Sequence, residues 1–105
     1  MPDIGENSII VDAWTVEDGG QQEFLDALVG LFDRVRELDG FLEGAIFKGV
    51  DRTRVLTFAR MRSERERDAA VLDSEVQARV RSLGGIAHPH LGAYSVFRTF
   101  APPES

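Results

Sequence analysis

The sequence predicts an α+β fold in which a four-stranded antiparallel sheet carries its helices on one face. Two short apolar runs joined by a tight turn lie near the middle of the chain, as expected for a β-hairpin. A long segment with apolar residues at helical spacing precedes this hairpin, and a second helical segment follows it. One further strand is predicted near each end, so the element order is strand, helix, strand, strand, helix, strand.

The first two elements are a strand and an amphipathic helix. Residues 8–16 are rich in β-branched side chains, which favour strands. A helix is predicted over Gln21–Leu38, and Gly40 is suited to the left-handed conformation that often follows a helix. The apolar stripe of this helix comprises Phe24, Leu25, Leu28, Val29, Leu31, Phe32, Val35 and Leu38.

The hairpin and the second helical region follow. Strands are predicted at 40–50 and 54–61, with the turn at Asp51-Arg52-Thr53. The helical region covers 63–83 and is expected to break near Leu72, where the apolar spacing restarts. Its first residues, Ser63-Glu64-Arg65-Glu66, match a capping box.

The last predicted strand covers 92–100, after a loop at 86–90. Two split βαβ units in this order give the ferredoxin-like sandwich. Right-handed crossovers then place the first and third strands side by side at the centre of the sheet.

Composition limits the classes of function. The 105 residues are expected to form one domain over 1–105, with a core at about 8–100 and tails at 1–7 and 101–105. The absence of cysteine excludes disulfides and thiol chemistry, and the net charge of −6 argues against nonspecific binding to nucleic acid. No apolar run is long enough to span a membrane and no signal sequence is apparent, so we expect a cytoplasmic protein.

The predicted strands carry apolar residues on both faces, which predicts self-association. Two helical segments can cover only one face of such a sheet. A large apolar patch in water is unusual for a monomer. We therefore expect a homodimer in which a second copy packs sheet to sheet about a twofold axis.

From about Ser8 to Phe100 the chain resembles the antibiotic biosynthesis monooxygenase family. The resemblance is carried by Leu38-Asp39-Gly40-Phe41-Leu42, the Asp-Arg-Thr turn, the strand Val55–Met61 and the helix start Ser63-Glu64. It implies a dimeric α/β barrel with a pocket in each subunit between sheet and helices. Many members oxidise aromatic polyketide intermediates with oxygen, using no metal or flavin, so no cofactor is expected.

The chain departs from the family's oxygenase pattern at three positions. Oxygenase members place an Asn and a Trp on the third strand and a Tyr just beyond it; here those positions hold Thr57, Met61 and Arg67. Haem-degrading members combine the Asn and Trp with a histidine on a helix, so haem degradation is not expected. The residues expected to contact substrate are Trp14, Thr57, Met61, Phe32 and His90.

Two candidate site residues lie on the first strand. Asp12, beside an indole and half-buried, would have a raised pKa and could act as a general base. Alternatively it pairs with Arg60 or Arg98 across the sheet. Trp14 could stack on a planar substrate or could be a core or interface residue.

Further candidates lie near the end of the chain. His88 or His90 could accept a proton at the pocket mouth, or both could be solvated loop residues. Tyr94 could donate a hydrogen bond to a substrate carbonyl, or could be a core residue with its hydroxyl at the rim.

Arginines of the second helical region could hold substrate oxygens. The resemblance favours Arg81 over Arg79 for this role, since an arginine fork would stabilise an enolate or phenolate. The alternative is solvated helix charge. An exposed charged face is expected from Arg62, Glu64, Arg65, Glu66 and Arg67.

Together these features favour a cofactor-independent monooxygenase-like enzyme of aromatic natural-product biosynthesis. The proposed catalytic residues are His88, Arg81, Tyr94 and Asp12. A polyketide cyclase or isomerase that uses the same pocket without oxygen is the alternative enzyme. A non-catalytic small-molecule-binding or auxiliary subunit is the third hypothesis.

Overall fold

A computed structural model describes residues 8–17, 19–84, 87–95, 97–98 and 100–103. Its elements follow the order β1 Ser8–Val16, α1 Gln21–Val35, β2 Phe41–Lys48, β3 Arg54–Met61, α2 Glu64–Leu72, α3 Ser74–Leu83 and β4 Ala87–Ser95. The strands form one antiparallel sheet in the order β2-β3-β1-β4. This arrangement confirms the α+β ferredoxin-like fold, with β1 and β3 at the centre of the sheet.

Helix α1 ends earlier than its apolar stripe predicts. The stripe continues to Leu38, but the helix stops at Val35 and tighter turns follow, in which the Leu38 N–H donates to the Val35 carbonyl over 3.1 Å. Gly40 has a φ of +87°, the left-handed conformation expected from the sequence. A Cβ atom at this position would lie 2.5 Å from the carboxyl carbon of Glu66, so a larger residue would also displace the start of α2.

The β2–β3 turn forms where the sequence predicts it. Asp51 Oδ1 accepts a hydrogen bond from the Thr53 backbone N–H over 3.0 Å, and Arg52 adopts a φ of +67°. That hydrogen bond lowers the pKa of the Asp51 carboxyl. The Gly49 N–H donates to the Arg54 carbonyl over 2.8 Å and closes the hairpin.

The second helical region breaks at Asp73, directly after Leu72, as the sequence predicts. Ser63 caps α2, because its Oγ accepts a hydrogen bond from the Glu66 N–H over 3.2 Å. Asp73 caps α3 in the same way through Val76, over 3.1 Å. Both caps place side-chain oxygens on backbone donors that have no partner within their helix.

An ion pair connects the α2–α3 break to α1. Arg34 donates to both carboxylate oxygens of Asp73, from Nε over 3.1 Å and from Nη2 over 2.8 Å. The guanidinium lowers the pKa of Asp73 to about 2, and the cap to the Val76 N–H acts in the same direction. The Asp73 side chain is 16% exposed, so solvent screens this pair less than the exposed pairs elsewhere on the helices.

Strand β4 corrects the prediction for the end of the chain. It covers Ala87–Ser95, where 92–100 was predicted, so residues 87–90 of the expected loop belong to the strand. Its register pairs Ala87 with Val16 and Ser95 with Ser8. The backbone of β1 therefore has a pairing partner along its whole length on the side away from β3. Pro89 is tolerated because β4 is an edge strand of the sheet.

The helices cover one face of the sheet. The core between them and the sheet comprises Trp14, Val16, Phe24, Leu28, Leu31, Val55, Val76 and Leu83. The opposite face carries Val11, Ala13, Leu56 and Phe58, which alternate with the core-facing residues of β1 and β3. None of the three described helices packs on that face, and the Leu56 side chain there is 40% exposed.

Replacing Asp73 with alanine is expected to lower the melting temperature by about 5 °C or more, because it removes a helix cap and the partner of Arg34. Asp73→Asn keeps a capping oxygen but loses the charge, so its loss should be smaller. Thermal unfolding followed by far-UV circular dichroism at pH 7 measures both effects.

The same variants test a pH dependence. The pKa of Asp73 is lower in the folded protein than its ordinary value, so its contribution to stability is complete above about pH 4 and is lost as the pH falls towards 2. The stability difference between wild type and Asp73→Asn should shrink across that interval. A difference that stays constant from pH 5 to pH 2 would contradict this assignment.

Candidate functional site

A cavity of about 620 Å³ lies between the helices and the covered face of the sheet. Its floor comes from β1 and β3, and its walls come from α1, α2 and α3. The lining is mostly apolar: Ile10, Trp14, Leu31, Phe32, Val35, Ala59, Met61, Ala70, Val71, Val76 and Val80. Its polar members are Asp12, Thr57, Arg67, Asp68, Gln77 and Arg81. An apolar pocket with a few convergent polar groups is typical of a small-molecule site.

Trp14 and Thr57 form a hydrogen-bonded pair on the cavity floor. The indole Nε1 donates to Thr57 Oγ1 over 3.2 Å, and that hydroxyl donates onward to the Asp12 backbone carbonyl over 3.4 Å. Trp14 is only 3% exposed, and its ring centroid lies 5.0 Å from that of Phe24. The indole is therefore a core residue that also lines the cavity, while its stacking on a substrate stays a prediction.

Asp12 lies in the middle of the floor. It is opposite Thr57 in the β1–β3 register, and its Oδ1 atom is buried. Arg60, one of its expected partners, pairs with Ile9 in the register, on the opposite face of the sheet, and donates to Glu43 over 2.9 Å. The cross-sheet pair with Arg60 is therefore wrong, and Asp12 lines the cavity.

Two arginines reach the cavity from different helices. Arg81, on the last turn of α3, lines it as expected. The expected place of Arg67 on an exposed charged face of α2 is wrong: its side chain is 17% exposed, lines the cavity and donates to Ser8 Oγ over 2.9 Å. Arg79 lies on α3 with 48% of its side chain exposed and faces Glu75.

Two more residues that are expected to contact substrate also line the cavity, and the contact itself stays a prediction. Met61 is fully buried and lines the cavity, as does Phe32 from α1. Thus Asp12, Trp14, Phe32, Thr57, Met61 and Arg81 are all brought to one space.

Tyr94 is not brought to this space. It pairs with Ile9 in the β1–β4 register and so lies on the sheet face away from the helices, with 55% of its surface exposed. Its expected position at the start of the last strand is wrong, because β4 begins at Ala87. To contact a substrate in the cavity, Tyr94 would have to lie on the other face of the sheet.

The two histidines lie within β4 and not in a loop. The register pairs His88 with Thr15 and His90 with Ala13. Their side chains lie outside the described part of the protein, so their predicted roles as base and as substrate contact stay predictions.

Sequence reasoning missed three polar residues of the lining. Gln77 precedes Arg81 by four residues, and residues at that spacing share a helix face, so its place could have been inferred from Arg81. Asp68 is adjacent to Arg67 and accepts a hydrogen bond from its Nη2 over 2.9 Å. Arg67 and Asp68 lie in a run of alternating charges on α2. Such a run is typical of a solvated face, so the sequence does not indicate that they line the cavity.

Two further properties concern the described residues alone. Within the parts of the chain that the structure describes, no group of three His, Asp or Glu side chains is placed to hold a metal ion. None of the helices there has the length and apolar character needed to cross a bilayer.

Solved structures with the same architecture include an oxygenase. SnoaB from Streptomyces nogalater, a cofactor-independent oxygenase, superposes with a TM-score of 0.84 over 92% of this chain and 99% of its own, at 14% identity. This chain has the SnoaB fold. Candidate antibiotic biosynthesis monooxygenases from Nitrosomonas europaea and Deinococcus radiodurans share it, each with a TM-score of 0.79 over 92% of this chain and 96% and 99% of their own. Their identities to this chain are 11% and 12%. No family model and no curated protein matches the sequence.

The hydrogen bond between Trp14 and Thr57 can be tested by an isosteric change. Thr57→Val removes the hydroxyl and leaves a buried indole N–H without its acceptor, which should lower the free energy of unfolding by about 1–3 kcal/mol. Thr57→Ser keeps the hydroxyl and should cost about 1 kcal/mol for the lost methyl group. Urea unfolding followed by far-UV circular dichroism compares them; wild-type stability in Thr57→Val would show that the bond contributes nothing.

Proposed function

We propose that this protein belongs to the antibiotic biosynthesis monooxygenase family and is a cofactor-independent monooxygenase-like enzyme. Its substrate would be an aromatic polyketide or a related natural-product intermediate. The observation that carries the proposal is the cavity itself, an apolar space of about 620 Å³ lined by Asp12, whose Oδ1 atom is buried, and by two arginines. The shared fold with a cofactor-independent oxygenase supports it.

The apolar walls favour a flat, poorly hydrated substrate. Aliphatic side chains from α1 and α3, including Leu31, Val35 and Val80, would pack against the faces of a fused ring system. The cavity volume is in the range of pockets that bury small organic ligands, about 300–1,000 Å³. Excluding water from such a ligand would also strengthen every charge interaction inside the site.

In the proposed reaction the protein supplies a base and an anion-stabilising group. Asp12 would accept the proton from an activated methylene or phenol of the substrate. The Arg81 guanidinium would stabilise the resulting carbanion or phenolate, because it holds a permanent positive charge at the cavity wall.

Oxygen is the oxidant. The substrate anion passes one electron to O₂, and the two radicals combine to a peroxide. Loss of water from that peroxide leaves a carbonyl, so a CH₂ group and O₂ become C=O and H₂O. The redox chemistry belongs to the substrate and to oxygen, and the enzyme contributes deprotonation, charge stabilisation and a dry site.

A cyclase or isomerase is the second candidate function, favoured by the floor of the cavity. Oxygenases of the family that this chain resembles have an Asn and a Trp at two positions of the third strand. Here those positions hold Thr57, whose hydroxyl accepts a hydrogen bond from Trp14, and Met61, which is buried. The same base and arginine could move a proton between two substrate carbons without oxygen. Simple binding, as in an auxiliary subunit, is the third candidate.

Oxygen uptake with anthrone as the probe substrate tests the proposal. Wild type should consume oxygen and place one ¹⁸O atom from ¹⁸O₂ in the product. Asp12→Asn should lower kcat by about 100-fold or more through loss of the base, and Arg81→Gln by about 10-fold or more through loss of the charge. Arg79→Gln is the matched control, since Arg79 lies on the same helix facing Glu75, and it should retain wild-type rates.

The outcomes separate the candidate functions. A rearranged product without ¹⁸O would replace the oxygenase by the cyclase or isomerase. Binding of anthrone, seen as a change in the fluorescence of the single tryptophan, without any turnover would support a binding protein. Equal rates in Asp12→Asn and wild type would remove Asp12 as the base.

The proposal includes a homodimer in which two sheets form a shared barrel. It is supported by the apolar face that the described helices leave uncovered, on which Leu56 and Phe47 are 40% and 52% exposed. Covering such a patch is favourable by roughly 25 cal/mol per Å² before the cost of association. A second copy provides a surface of the same size and character.

Leu56→Glu is expected to convert the dimer to a monomer, because it would bury two charges in the apolar interface. Multi-angle light scattering at micromolar concentration should give twice 11.6 kDa for wild type and 11.6 kDa for the variant. Leu72→Glu is the control: this side chain is 70% exposed on α2, away from the sheet, and its replacement should leave the dimer intact. A wild-type mass of 11.6 kDa would exclude the homodimer.

A further inference from the structure

A second, smaller cavity of about 380 Å³ lies between α1 and β2. Val29, Phe41 and Ile46 give it apolar walls, and the charged residues Asp33, Arg36 and Glu43 also line it. We call it the α1–β2 groove. Phe32 lines the groove and also lines the main cavity, so this one aromatic side chain is a shared wall.

The Phe32 ring packs directly against Gly44. A Cβ atom at Gly44 would lie 2.8 Å from Phe32 Cε1 and 3.1 Å from Cδ1, and the shorter distance is closer than Cβ atoms approach their neighbours in proteins. The ring can therefore occupy its place only because position 44 has no side chain. Gly44 itself lines the groove.

The two strands beneath the Phe32 ring both carry small residues. Gly44 pairs with Ala59 across β2 and β3, and Ala59 lines the main cavity. The floor from one space to the other thus consists of a glycine and an alanine. Without the Phe32 ring, no larger side chain at these two positions would separate the spaces.

We propose that Phe32 is the residue that determines how long a substrate the site accepts. The α1–β2 groove is then a subsite for the distal ring or a short apolar substituent of a longer aromatic substrate. This inference rests on the proposed function, because it specifies which aromatic compounds the same cavity takes. It assigns Phe32 a role in substrate selection and none in the chemical step.

The argument follows from the size of the side chain. A phenyl ring closes the end of the main cavity to a rigid fused ligand, while a smaller residue would join the two spaces. The walls that a longer ligand would then meet are apolar at Val29, Phe41 and Ile46, which suits an aromatic or aliphatic extension. The charged residues that line the groove disfavour burial of an uncharged ligand beyond one ring.

Two probes of different length test this proposal: anthrone with three fused rings and naphthacenequinone with four. Trp14, the single tryptophan, lines the main cavity, so quenching of its fluorescence reports binding of either probe. Wild type should bind anthrone more tightly than naphthacenequinone. Phe32→Ala should improve the affinity for naphthacenequinone relative to anthrone by at least 10-fold, and Phe32→Leu, which perturbs packing less, should change it in the same direction.

A glycine substitution gives a second readout. Gly44→Ala would press on the Phe32 ring and should weaken naphthacenequinone binding at least threefold in wild type, but not in the Phe32→Ala background where the ring is gone. Leu72→Ala is the control; this side chain is 70% exposed on α2 and lines neither space, so both affinities should stay unchanged. Circular dichroism verifies that each variant is folded.

The outcomes distinguish this inference from the function on which it rests. If wild type binds anthrone and both Phe32 variants retain its preference for the shorter probe, Phe32 does not determine length and the inference is wrong. If neither probe binds to any folded variant, the proposed small-molecule function fails and the inference fails with it. Improved binding of the longer probe in either Phe32 variant supports the inference even where no turnover is seen.

Discussion

The antiparallel pairing of β1 with β3 is the constraint on which both the core and the cavity depend. It places Asp12 opposite Thr57 and Trp14 opposite Val55, so that the polar and aromatic groups of the floor share one face. Successive residues of a strand point to opposite faces, and a slip of one residue would turn this set outward. The hydrogen bond from the indole to Thr57 connects the two strands at the site itself.

The walls depend on a second connection, the ion pair that joins Arg34 of α1 to Asp73 at the break between α2 and α3. Because the chain changes direction there, two short helices can present one arginine each to the cavity, Arg67 from the first and Arg81 from the second. One continuous helix through 64–83 would lack the Asp73 cap and this connection to α1. The break is thus part of how the site is built.

At 14% identity the shared fold carries no residue roles from SnoaB to this chain, and the chemistry must be argued from the cavity. In that cavity Thr57 accepts a hydrogen bond from the Trp14 indole, Met61 is fully buried, and Asp12 and Arg81 line the space. The proposed reactions therefore assign the base to β1 and the anion-stabilising group to α3.

The sequence by itself determined the local elements, because strand alternation, helical spacing and capping residues act over a few neighbours. The bounds of β1 and β3, the turn at Asp51 and the break after Leu72 all follow from such signals. Only the tertiary structure decided the position of β4 and the burial of Arg67. The pairing requirement of β1 extends β4 through Pro89, and packing of α2 beside Ser8 draws an arginine from a charged run into the cavity wall. Both depend on contacts between residues distant in the chain, which no local pattern records.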